Sequence, residues 1–128
     1  MKKATIILIA TLFITSLSSI FSSVSSNAVS FVNVTPAEQR LSGERDYGTW
    51  SVGWGGGYNP YMLTFREDTS GPTITLLRGY SGTSYRYTHL YTLPTDVGLK
   101  EWNSTFRVID DFGATRSHKV KATQYRYF

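Results

Sequence analysis

The stretch Tyr85-Arg86-Tyr87-Thr88-His89-Leu90-Tyr91-Thr92-Leu93 decides how this chain folds. Side chains of a β-strand alternate between its two faces. Tyr85, Tyr87, His89, Tyr91 and Leu93 therefore project to one side, and Arg86, Thr88, Leu90 and Thr92 to the other. One row is mainly aromatic and the other mainly polar, the pattern of a strand that buries one face. Pro94 ends it, because proline cannot donate to a ladder.

The same reading extends outward in both directions. Upstream, residues 47–54 and 61–66 are rich in β-formers, and Gly55-Gly56-Gly57 and Asn59-Pro60 separate them. The cluster Glu67-Asp68-Thr69-Ser70-Gly71-Pro72 is a dense turn signal before a strand at 73–78, and Ser81-Gly82 marks another turn. Downstream, residues 94–102 read as a loop anchored by Val97, Leu99 and Trp102. Residues 104–110 alternate again, Asp110-Asp111-Phe112-Gly113 reads as a hairpin turn, and 116–128 form a last strand. No segment after residue 28 shows a period of 3.6. About six short strands at regular spacing predict an all-β fold, a small antiparallel β-sandwich or barrel-like meander.

The N-terminus reads differently. Met1-Lys2-Lys3 is positive, residues 4–20 are apolar apart from Thr and Ser, and 21–27 are rich in serine. Ser26 and Ala28 put small residues where a signal peptidase reads, so residues 1–28 are expected to be a signal peptide cleaved after Ala28. The protein is then secreted, with no stable membrane span after cleavage. Residues 29–46, with Pro36 and a polar run after it, read as a leader or linker, or as a processed propeptide. The domain proper is expected at 47–128.

Cleavage changes the charge. The 128-residue chain has 13 basic and 9 acidic residues, a formal +4. Losing Lys2 and Lys3 leaves +2, carried mostly by scattered arginines. No block of like charge remains, so nucleic acid is not an expected partner.

Other chemistry is thinly supported. The chain has no cysteine, which excludes disulfides, thiolate metal sites and thiol catalysis. Its two histidines, His89 and His118, lie far apart, and the acidic residues lack calcium-loop spacing. No metal or other cofactor is expected. Asp110 and Asp111 are neighbours on a turn, where Asp commonly bonds its own backbone. His89 lies on a tyrosine face, where hydrogen-bonded packing is the commoner role. Without a nucleophile–base pattern, no catalytic residue is assigned and the protein is read as a non-enzyme.

The least ordinary segment is Tyr47-Gly-Thr-Trp-Ser-Val-Gly-Trp-Gly-Gly-Gly-Tyr-Asn-Pro-Tyr61, where aromatic residues interleave with glycines. Glycine allows close backbone approach, and aromatic rings offer flat faces that suit sugar rings or an apolar groove. A strand with core tryptophans is the competing reading. Trp50, Trp54, Tyr58 and Tyr61 are the candidate stacking residues. Arg86, Arg107 and Arg126 are the candidate contacts to phosphate or carboxylate groups.

Gly48-Thr49-Trp50 near the start of the domain, and the closing Lys121-Ala122-Thr123-Gln124-Tyr125-Arg126-Tyr127-Phe128, resemble the lactococcin 972 family of bacteriocins. The resemblance covers residues 46–61 and 119–128; between them the pattern differs, with no histidine before His89. It implies a secreted β-sandwich that acts on the envelope of related bacteria through cell-wall assembly. Gly48, Thr49, Trp50, Tyr125 and Tyr127 are the positions that carry across. The expected partner is accordingly a cell-wall or envelope component. The alternative is an extracellular protein, with this chain acting as an interaction module or enzyme inhibitor through a loop such as 67–72 or 94–100.

Overall fold

A computed structural model describes residues 28–126 and places eight strands in two sheets. The alternating stretch forms β6 (Ser84–Thr92), antiparallel to the glycine- and tryptophan-rich β3 (Arg45–Gly56), with Arg45 opposite Thr92 and Gly53 opposite Ser84. The other edge of β3 carries β1 (Val29–Thr35), which completes a three-stranded sheet in the order β1-β3-β6.

The second sheet is built from β2 (Glu38–Ser42), β4 (Tyr61–Arg66), β5 (Thr73–Tyr80), β7 (Leu99–Ile109) and β8 (Thr115–Tyr125), in the order β2-β8-β7-β4-β5. All its pairings are antiparallel except β2 with β8, which is parallel. Lys121 of β8 reaches Glu101 of β7 at 3.0 Å and Glu38 of β2 at 3.4 Å. Its hydrogen bond to Glu101, helped by both carboxylate charges, raises the affinity of the ammonium for its proton.

The all-β sandwich is therefore the fold, with eight strands rather than about six. Residues 29–46 account for the two extra strands. They are not a leader or linker outside the domain, because Val29, Val34 and Leu41 belong to the same buried cluster as the later strands. The boundary expected at Tyr47 falls inside the fold. The physical reason for the misreading is position. β1 pairs on one edge only, and β2 is five residues long with a single buried side chain, so neither carries a strong alternating pattern. Residues 99–102, expected as loop, begin β7; Trp102 is buried there while Leu99 stands in solvent. The expected signal peptide lies outside the described residues, apart from Ala28. Among those described, no helix is long and apolar enough to cross a membrane.

The sheets meet through aromatic rings. Trp50 packs edge-on to Phe106, Phe65 lies against Tyr87 and Phe106, and Tyr91 lies against Trp102. Each such ring buries roughly 150–250 Å², which suits a small core without disulfides. A chain of hydrogen bonds links Trp50, Tyr91 and Ser104 among them, whereas the buried Trp54 Nε1 has no partner among the described residues. Trp50 Nε1 donates to Tyr91 Oη at 3.3 Å, Tyr91 donates to Ser104 Oγ at 2.7 Å, and Ser104 donates to the Glu67 carbonyl at 2.8 Å. Burial pushes the Tyr91 hydroxyl up to about 12, so it stays protonated in the fold. Gln124, fully buried, accepts from Trp102 Nε1 and donates to the carbonyls of Gly43, Glu44 and Tyr91.

Candidate functional site

The structure does not gather the seven expected binding residues into one surface. Trp50, Trp54 and Tyr61 are core residues, 0%, 3% and 6% exposed, and offer no stacking face. The strand period explains it: in β3, Trp50, Val52 and Trp54 share the inward row, and Tyr61 starts β4 against Trp54. Tyr58 alone of that set is exposed, in edge contact with the exposed ring of Phe112 at 4.6 Å between centroids. Arg126 is committed to the fold. Its Nε donates to the Val97 carbonyl and its Nη2 to that of Pro94, both at 3.1 Å, and Nη1 faces Glu44 at 3.7 Å. Arg86 and Arg107 are exposed, but they stand on the outer faces of different sheets.

The glycines between the tryptophans prove to be the informative part of the segment. Gly53 and Gly55 occupy the outward row of β3, beside Ser51 and Thr49. Phe31 of β1 lies across Gly55, with its ring where a Cβ would stand. Phe31 is 54% exposed, a large apolar ring left on the outside of the sheet. Together they shape an open groove of about 400 Å³ over the three-stranded sheet, with Phe31 and Asn33 on one side, Gly53 and Ser51 along the floor, and Thr83 and Ser84 opposite. Past Ser84 the surface continues into a second depression of about 390 Å³ that includes Arg86, Tyr80 and Tyr85. The sequence pattern places Phe31 in a leader or linker, and only the β1–β3 register brings it to the glycines. Its sequence signal was an apolar residue out of phase with Val32 and Val34.

A second polar cluster sits where β6 meets the turn after β4. His89 Nε2 is 2.6 Å from Glu67 Oε2, and His89 Nδ1 is 2.9 Å from Tyr87 Oη. With a neutral imidazole the proton lies on Nε2, facing the carboxylate, and Nδ1 accepts from the Tyr87 hydroxyl. Burial, then the neighbouring Tyr85 and Glu67, raise the Tyr87 hydroxyl above its ordinary value, which keeps it a donor. Both ring nitrogens are thus occupied. The imidazole also packs on Phe65 and Tyr91. A pocket of about 130 Å³ opens beside it, lined by Phe65, Glu67, Pro72, Ile74 and His89. Alternation placed His89 on the tyrosine face; its partner Glu67 comes from a turn 22 residues earlier, a contact no local pattern carries.

Asp110 and Asp111 part as expected for a turn. Asp110 is buried and its Oδ1 accepts from the backbone of Phe112 and Ala114 at 3.0 and 2.8 Å, while Asp111 is exposed. Among the described residues no group of three or more His, Asp or Glu side chains is placed to hold a metal ion. No family model matches the chain, and no curated protein matches it in sequence.

Proposed function

We propose that this chain is a secreted, non-catalytic binding domain whose ligand is a sugar-containing component of a bacterial cell envelope. The observation that carries the reading is the groove over the three-stranded sheet. It combines one exposed aromatic face, Phe31, with amide and hydroxyl groups at Asn33, Ser51, Thr83 and Ser84, on a floor that Gly53 keeps low. Flat apolar faces beside short polar groups match the two sides of a sugar ring. Arg86, in the adjoining depression, suits a carboxylate or phosphate on the same ligand.

The finer reading is an antibacterial polypeptide of the lactococcin 972 type. Of the residues behind that resemblance, Gly48 and Trp50 are buried, so the shared motif speaks to packing rather than to the groove.

Co-sedimentation of the purified chain with insoluble peptidoglycan tests the binding reading. Wild type is expected in the pellet, and Phe31→Ala and Gly53→Val mainly in the supernatant. A wild-type chain that stays in solution with envelope fragments overturns it. Growth inhibition of related strains by the same protein tests the antibacterial reading, and an inert protein removes that reading alone.

A further inference from the structure

The outer face of the five-stranded sheet carries a pattern that the groove leaves unexplained. Register sets two adjacent rows across four strands. One runs Thr73, Arg66, Thr105, Lys119 and the next Thr75, Thr64, Arg107, Ser117. Hydroxyls alternate with cations in the first row and surround Arg107 in the second, and neither row contains a carboxylate. Arg66 and Arg107 are diagonal neighbours, since Arg66 faces Thr105 and Arg107 faces Thr64. Like charges at that spacing repel. Neither guanidinium has a salt-bridge partner among the described residues, although four Lys or Arg contacts to carboxylates form in the same domain.

Both arginines are nonetheless held in place. Arg66 Nη1 donates to the Thr69 carbonyl at 3.0 Å, and Arg107 Nε donates to Ser117 Oγ at 3.2 Å. They converge on a cavity of about 20 Å³ that Thr64, Thr73 and Thr105 complete. Arg66 Nε is buried and has no acceptor among the described residues. A buried donor without a partner is costly and rare. One negatively charged group between the two guanidiniums would relieve the repulsion.

We propose that this face binds a phosphoryl oxyanion between Arg66 and Arg107, with Lys119 and the flanking threonines as outer contacts. A tetrahedral oxyanion matches the forked donors of two arginines and the short hydroxyls around them. The cavity admits only the anion's leading oxygens, so the rest of the ligand lies along the exposed rows. Free phosphate and a phosphodiester polymer share this chemistry. The site uses no residue of the groove and stands whether or not the groove binds sugar.

The test is a titration of the purified chain followed by the Nε–Hε resonances of its arginines. The probes are inorganic phosphate and poly(glycerol phosphate), with chloride at matched ionic strength as control. Arg66 and Arg107 are expected to shift with at least one phosphate probe and not with chloride, while Arg126, committed to the carbonyls of Val97 and Pro94, stays put. Arg107→Gln, an exposed change that leaves the fold intact, weakens binding roughly ten-fold or more, and the double variant with Arg66→Gln abolishes it. Phe31→Ala leaves it unchanged, which separates this site from the groove. Tighter binding of the polymer identifies an extended ligand, and equal binding per phosphate identifies the free ion. Absence of the Arg66 and Arg107 shifts with both probes, or undiminished affinity in Arg107→Gln, overturns the proposal.

Discussion

The ring of Tyr91 lies directly over Gly48: a Cβ at position 48 would stand 2.9 Å from Tyr91 Cε2. Tyr91 is fully buried and fixed by hydrogen bonds to Trp50 and Ser104, so it cannot swing aside. Gly48→Ala is expected to destabilise the fold by about 1–2 kcal/mol through overpacking. Gly53→Ala, whose Cβ would find only the Thr83 carbonyl at 3.9 Å, should stay within about 0.5 kcal/mol of wild type. Urea unfolding of the pair checks the contrast; equal stabilities would show that the Tyr91 ring relaxes freely.

Gln124 joins three carbonyls and one indole N–H at the centre of the sandwich. Gln124→Leu keeps the volume but strands those groups without water. A loss of at least about 3 kcal/mol is expected, since each buried polar group left unpaired costs roughly 1–3 kcal/mol. Gln124→Glu supplies only acceptors to the three carbonyls and should be no better. Chemical unfolding of both variants is the measurement.

Stability should fall at both ends of the pH scale, for opposite reasons. Tyr91 is raised to about 12 in the fold, whereas an unfolded tyrosine ionises near 10. Its contribution is complete below about pH 10 and is lost as pH rises towards 12, on the order of 2–3 kcal/mol. Tyr91→Phe should flatten that alkaline limb.

Asp68 behaves in the reverse sense. Burial favours its neutral form, but hydrogen bonds from the Asn103 and Thr69 backbone and the Lys100 ammonium outweigh burial and lower it below the usual carboxylate value. The stability it supplies is present above about pH 4 and is lost as pH falls through the depressed value. Unfolding curves between neutral and strongly acidic pH should show Asp68→Asn losing less than wild type.

Arg126→Ala should cost about 1–2 kcal/mol, mainly through the carbonyls of Pro94 and Val97. The Glu44 contact, long and exposed on the acidic side, adds little. Hydrogen exchange should rise across residues 94–98, while ligand binding stays unchanged. Loss of binding at wild-type stability would return Arg126 to the binding residues.

How much of this was legible in the sequence depends on local contrast. β6 announced itself because every second residue from Tyr85 is apolar or aromatic, and burial follows that phase at Tyr91. The tryptophans of β3 alternate just as clearly, yet an inward row and a binding face look alike in one strand. Only the partner sheet decides, and Phe106 and Tyr61 pack on them. β2 has one buried residue, Leu41, and a single apolar position has no period to read. Phe31 over Gly55, Glu67 on His89 and Arg66 beside Arg107 are all products of register or tertiary contact, which no local window contains.

The parallel pairing of β2 with β8 has a kinetic consequence. Glu38 meets Lys121 and Ser42 meets Tyr125, so each partner lies 83 positions along the chain from the other. Contacts at such separation pay their loop-closure entropy before they return any stability, and chains rich in them fold slowly. Whatever order the inner hairpins follow, a chain emerging N-terminus first keeps an unpaired edge and an unfilled place for Gln124 until β8 arrives. A stop before Lys119, which removes most of β8, should abolish cooperative folding rather than trim a strand.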